Sequence, residues 1–168
     1  MTRGEASRTA LVVTASNRAA AGIYADEAGP LLVEGLRKLG FETDGPVVVP
    51  DGEEVGVALR SAVSQEYDVV LTTGGTGLTP GDLTPEVTRP LLDREIPGLA
   101  EAIRARGREA GVPTAALSRG LAGLAGRTLV VNLPGSTGGC RDALAVLSEV
   151  LVHAVDQAHG GDHDRASA

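Results

Sequence analysis

Two stretches of this 168-residue chain bring together residue types that suit a phosphate. The first, LTTGGTGLTPGD at 71–82, ends an apolar run and sets Gly74, Gly75 and Gly77 among Thr73 and Thr76 before reaching Asp82. The second, NLPGSTGG at 132–139, follows another apolar run and sets Gly135, Gly138 and Gly139 around Ser136. Without Cβ atoms, successive residues can alternate backbone handedness, so that several N–H groups point into one concavity and an anion approaches the main chain closely. A helix beginning just beyond such a loop adds further donors. Neither stretch fits the generic templates GxxxxGKS/T or GxGxxG, and either one alone is equally well explained by tight turns between strand and helix.

The carboxylates nearby sharpen the question. Asp82 lies just past the first glycine loop, and Asp51 stands in VPDG at 49–52. A bare carboxylate repels a phosphate unless a divalent cation lies between them, as when carboxylates and substrate phosphates share Mg²⁺. Both aspartates therefore read as candidates to hold a metal or to orient an attacking group, with an ordinary turn role as the alternative. The formal net charge of −7 works against an anionic ligand, so binding must come from oriented N–H groups, a metal and a few arginines. Arg119, in LSRG, is one such arginine, or else a solvated surface residue. Cys140 follows the second loop but reads as a small packed residue at a helix start. His159 and His163 with Asp162 and Asp164 offer metal-binding types, yet their surroundings read as a solvated tail.

The elements that must position these residues alternate. TALVVT at 9–14, PVVVP at 46–50, YDVVLTT at 67–73 and TLVVNL at 128–133 are short aliphatic runs of buried-strand character. Between them, Pro30 opens a helix that carries Leu32, Leu36 and Leu39 and stops at Gly40, and a second helix spans Glu53 to Gln65. Thr84 is placed to cap a third, with Pro85 and Glu86 in its first turn. IPGLAEAIRARGREAG forms a fourth, and a terminal helix from about Arg141 to Val155 carries Leu144, Leu147, Leu151 and Val155 on one face. Segment 112–127 gives no clear pattern.

Strands alternating with helices imply an α/β fold, a mostly parallel sheet covered on both faces in three α/β/α layers. In such a sheet ligands bind beyond the carboxyl ends of the strands. Those ends read TASN at 14–17, VPDG, TTGGTG and NLPGSTGG, so that parallel strands would bring both glycine loops and Asp51 to one edge. One domain is expected, with a core at about 9–156 and loose tails at 1–8 and 159–168.

Composition narrows the function classes. Aromatics make up 2% of the chain, leaving too few stacking platforms for single-stranded nucleic acid, and the negative charge argues the same way. One cysteine permits no internal disulfide and no CxxC metal site. No stretch approaches the roughly 20 apolar residues of a membrane span, and the N-terminus lacks signal-peptide character, so a cytoplasmic protein is expected.

TTGGTG followed by GDLTPEVT, then EIPGLAEAIR and LSRGLAGLAGRTLVVNLPGS, with GIYADEAGPLL near the start, resembles the molybdopterin adenylyltransferase type of molybdenum-cofactor biosynthesis proteins. The similarity runs in order from about residue 9 to residue 155. The resemblance implies a molybdopterin-binding α/β domain that adenylylates the terminal phosphate of molybdopterin with Mg-ATP, releasing pyrophosphate, ahead of molybdate insertion. By motif position it makes Asp51 and Asp82 the functional aspartates and Mg²⁺ holders. It also makes Thr73, Gly74, Gly75, Thr76, Gly77, Ser118, Arg119, Pro134, Gly135 and Ser136 the substrate- and nucleotide-binding set. A homotrimer or dimer of trimers, and contact with the molybdate-insertion protein, are implied partners.

Four positions depart from the family pattern. Gly81 stands where a basic residue is common, and Thr137 and Gly138 stand where Pro-Lys is common, so positive charge or stiffness is missing near the presumed anion site. Asn17 replaces a frequent aspartate. Two other readings stay open: a nucleotide pyrophosphatase-like relative, which the chain's length disfavours, and a non-catalytic pterin-binding or assembly protein, which retention of both Asp51 and Asp82 disfavours.

Overall fold

The computed structural model describes residues 7–161. Its sheet has six strands in the order β2-β1-β3-β6-β5-β4. Strands β1 (Arg8–Ala15), β2 (Phe41–Val49), β3 (Val69–Thr73) and β6 (Thr128–Leu133) run parallel, and β5 (Ala122–Ala125) and β4 (Arg94–Glu95) extend the edge antiparallel. The helices are α1 (Asn17–Ala20), α2 (Ala28–Lys38), α3 (Glu53–Ser64), α4 (Thr84–Thr88), α5 (Pro97–Glu109) and α6 (Thr137–Ala158). The expected three-layer α/β/α architecture is the one observed.

Alternation along the central strands divides the core in two. Ala10 and Val12 of β1, Val69 and Leu71 of β3, and Leu129, Val131 and Leu133 of β6 pack with Leu32 and Leu36 of α2, Ile103 of α5, and Leu147 and Leu151 of α6. Leu11, Val13, Val70 and Val130 turn the other way onto Val55, Leu59 and Ala62 of α3. Successive side chains on a strand leave opposite faces, so a central strand covered on both sides is buried at every position and mostly aliphatic. The VVLTT of β3 is buried throughout.

Several details differ from the sequence reading. Arg8, assigned to a loose tail, opens β1 and donates to Asp156 of α6 at 3.0 Å. His159, assigned to the other tail, lies 2.7 Å from Asp68, whereas Asp162, His163 and Asp164 lie outside the described residues. The terminal helix begins at Thr137 instead of Arg141, because Ser136 caps it by accepting the Gly139 N–H at 3.1 Å, a start that the poor helix propensity of the two glycines conceals. Thr84 is the first residue of α4 and not its cap, for its hydroxyl donates instead to the Gly74 carbonyl at 3.0 Å. Segment 112–127 holds a short 3₁₀ turn (Pro113–Leu117) and β5, whose AGLA sequence carries no β-branched residue to announce a strand. Among the described residues no helix is long and apolar enough to cross a membrane.

Candidate active site

All four parallel strands end at one edge, and two adjoining cavities open there. The larger, about 850 Å³, is lined by the end of β1, the α1 segment, Asp26, Asp51, Thr73 and Thr137. The smaller, about 400 Å³, is lined by Thr76, Gly77, Ile103, Arg104, Ala115, Ser118, Pro134 and Gly139 among others. Gly74, Gly75, Asp82, Gly135 and Ser136 border both. The two glycine loops thus form a ridge between two rooms, with a carboxylate upon it. A group held on that ridge is within reach of ligands from either side.

The ridge is built by close approach. A Cβ on Gly135 would lie 3.4 Å from the Gly74 α-carbon, and Thr73, buried, ties the loops together by donating its hydroxyl to the Pro134 carbonyl at 2.6 Å. Gly75 has φ of 68°, and a Cβ there would fall 2.2 Å from Thr84 Oγ1 and 2.9 Å from Asp51 Oδ1. Only glycine leaves room for that carboxylate beside the loop. At the second loop, Ser136 takes up the Gly139 N–H, which leaves the Thr137 and Gly138 N–H groups, without intrahelical acceptors, for an outside anion.

Asp51 is held by its own N–H, which donates to Asn17 Oδ1 at 3.0 Å, so Asn17 positions this aspartate. Burial pushes the Asp51 carboxyl above the ordinary aspartate range; the backbone of Asn17 partly offsets this, and the Asp82 charge adds to the rise. The folded state therefore binds this proton more tightly than the unfolded chain does. Asp51's contribution to stability falls as pH rises from the ordinary aspartate value through the raised one. Removing the Asp82 charge by Asp82→Asn is expected to move the Asp51 titration down, as carboxyl ¹³C NMR would register. An unmoved titration would mean that the two carboxylates do not share a field.

Asp82 accepts from the Thr79 N–H at 3.0 Å and the Thr79 hydroxyl at 2.7 Å through one oxygen, Oδ2. Among the described residues no cluster of three His, Cys, Asp or Glu side chains could hold a metal alone. Two carboxylates in one field nevertheless suit Mg²⁺, which commonly takes one or two carboxylates and completes its shell with phosphate oxygens and water.

Several residues stand differently from their expected roles. Arg119 borders neither cavity: its guanidinium donates to the carbonyls of Gly77 at 2.8 Å and Asp82 at 2.7 Å, and it pairs with Glu86. In this arrangement its guanidinium contacts the back of the first glycine loop. Thr73 donates its hydroxyl to the Pro134 carbonyl. Ser118 borders the smaller cavity. Cys140 is buried, and burial pushes its thiol up, in keeping with a packed residue and not a nucleophile. Gly81 and Gly138 have open space where a Cβ would be, so the departures there omit charge without serving packing.

The sequence reading missed Asp26, Arg18 and Tyr24, which border the larger cavity, and Arg104 in the smaller. Asp26 accepts from Thr14 Oγ1 at 2.8 Å and from the Gly29 N–H at 3.0 Å, fixing the start of α2 at the cavity wall. An acidic residue two positions before a helix start was the available signal. Arg18 and Tyr24 sit on a short helix and loop that no periodicity marks.

A mostly parallel α/β sheet with two glycine loops, a helix N-terminus and two carboxylates at its carboxyl edge offers oriented N–H groups to an anion. The chain matches the model of the probable molybdopterin binding domain over residues 11–153, and it belongs to that family. A molybdopterin adenylyltransferase of Pyrococcus furiosus is 37% identical over 151 residues, 88% of this chain and 89% of that protein. Among solved structures, one of MogA is 54% identical with a TM-score of 0.88, covering 90% of this chain and 99% of that one. The molybdopterin biosynthesis Mog protein of Mycobacterium ulcerans is 53% identical with a TM-score of 0.86, over 90% of this chain and 99% of its own. The chain spans 50% of a molybdenum cofactor biosynthesis bifunctional protein of Chlorobaculum tepidum and 22% of the molybdenum cofactor synthesis protein cinnamon of Drosophila melanogaster.

Proposed function

We propose that this chain acts in molybdenum cofactor biosynthesis as a molybdopterin adenylyltransferase. A terminal phosphate oxygen of molybdopterin attacks the α-phosphorus of ATP. The new P–O bond forms as the bond to the bridging oxygen breaks, giving adenylyl-molybdopterin and pyrophosphate. The observation that carries the reading is the shared ridge. Two substrates that must meet phosphate to phosphate need two rooms with a common wall, and Gly74, Gly75, Asp82, Gly135 and Ser136 border both.

Transfer of this kind is mostly positioning and charge neutralisation, and requires no covalent nucleophile. The glycine loops and the first turn of α6 offer N–H groups to the phosphates, and Asp51 and Asp82 would hold Mg²⁺. When bound, that ion would neutralise phosphate charge that the acidic chain cannot. A homotrimer or dimer of trimers, a cytoplasmic location and transfer of product to the molybdate-insertion protein belong to the same proposal; light scattering that gave a monomer would remove the assembly from it.

The test is a single-turnover assay with molybdopterin, Mg²⁺ and α-labelled ATP. Labelled adenylyl-molybdopterin is expected, with ATP consumed only when molybdopterin is present. Tight molybdopterin binding without labelled product would favour a non-catalytic binding protein. ATP consumption without the pterin would favour a pyrophosphatase.

A further inference from the structure

The loop that carries Asp82 has little packing to hold it. From Leu78 to Gly81 every residue is exposed, and the two leucines of the stretch, Leu78 and Leu83, are 65% and 39% exposed. At its base the Thr84 N–H donates to the Gly75 carbonyl at 3.1 Å; within 78–83 its hydrogen bonds are local, the Asp82 N–H donating to the Thr79 carbonyl at 3.0 Å and Thr79 donating back to the Asp82 carboxylate. Those bonds shape the turn but do not fix it to the domain. Loops with few buried apolar contacts open at low free-energy cost unless something else ties them down.

We infer that Arg119 is the positioning residue that does so, clamping the loop at both ends and thereby placing the Asp82 carboxylate on the ridge. Its N–H donates to the Thr76 carbonyl at 2.9 Å, Nε to the Gly77 carbonyl at 2.8 Å and Nη2 to the Asp82 carbonyl at 2.7 Å, while Nη1 meets Glu86 at the start of α4. One rigid fork spans the mouth of the loop. A lysine ammonium is a point donor and cannot reach two carbonyls and a carboxylate in that plane.

The clamp itself stands on firm ground. Arg104 of α5 donates to the carbonyls of Ser118 at 3.3 Å and Gly120 at 3.1 Å, on either side of Arg119. Buried Asn132 of β6 accepts the Leu121 N–H at 3.1 Å and donates to Thr72 and Thr88 at 3.0 and 3.1 Å. Position thus passes from the sheet through segment 118–121 to the guanidinium, and from there to the aspartate.

The kinetic part of the test rests on the adenylylation reading; the exchange part does not. Arg119→Ala and Arg119→Lys are expected to lower single-turnover adenylylation about 100-fold and somewhat less, with the ATP KM within about threefold, since misplacing a group by an ångström can cost that much. Amide hydrogen exchange should rise in 77–83 in both variants, and millimolar guanidinium should restore part of the Arg119→Ala rate. Glu86→Gln, which breaks only an exposed ion pair, should cost less than about fivefold. Should Arg119→Ala fail to fold, Arg119→Lys and its exchange pattern decide. A raised ATP KM at unchanged turnover would make Arg119 a phosphate ligand and overturn the clamp, as would unchanged loop exchange. An unsubstituted protein that makes no product would count against the adenylylation reading alone, leaving exchange to judge the clamp.

Discussion

Asp82→Asn is expected to lower adenylylation at least about 100-fold while leaving the fold intact, because pre-placed charges at the reacting group ordinarily contribute that much. The substitution is informative because it is nearly isosteric. The carboxylate oxygen that accepts from Thr79 has a counterpart in the asparagine carbonyl oxygen, so the turn keeps both bonds. The Arg119 contact is made to the Asp82 backbone and survives any side chain. What disappears is the negative charge that shares a field with Asp51. Turnover should therefore collapse with a melting temperature within a few degrees of the parent. An unchanged rate in the single-turnover assay would remove Asp82 from the mechanism, and a large drop in melting temperature would show its role to be structural.

The parts of this site that could be read from the sequence are those that the backbone writes locally. Strand composition marks the four parallel strands, and each glycine loop follows directly from a strand end, so Gly74, Gly75, Gly135 and Ser136 were placed correctly on one edge by topology alone. Asp51 is legible because it lies just past the end of β2, and Asp82 because it closes the loop that leaves the end of β3. Arg119 shows the limit. Its residue type suits an anion, but its partners are carbonyls 42 and 37 residues away, and nothing in LSRG announces which way the guanidinium turns. Arg104 was missed for the same reason, since its contacts to Ser118 and Gly120 cross from α5 to another segment, whereas Asp26 carried a local signal at the start of α2.

Gly74→Ala should be the costliest single methyl added to the site. With φ of 94°, the residue occupies a conformation that L side chains rarely adopt, and the new Cβ would stand 2.3 Å from the carbonyl oxygen of Ala15 at the end of β1. A side chain could swing aside; that carbonyl is backbone, at the end of a strand where Ala15 pairs with Val49 of β2. Gly74 has no free direction in which to retreat. Its N–H donates to the Leu133 carbonyl at 3.2 Å and its carbonyl accepts from the Thr84 hydroxyl at 3.0 Å. Left-handed strain of about 1–2 kcal/mol and displacement of packed backbone together suggest a loss of about 3 kcal/mol. For a domain of this size that is roughly 6–12 °C in melting temperature. Gly81→Ala is the matched control, for nothing lies near its Cβ position and its φ is ordinary, so a change within about 0.5 kcal/mol is expected. Thermal melts of the two variants decide the matter. A Gly74→Ala protein that melts within about 2 °C of the parent would show that the ridge yields, and a ridge that yields could not hold two phosphates at a fixed separation.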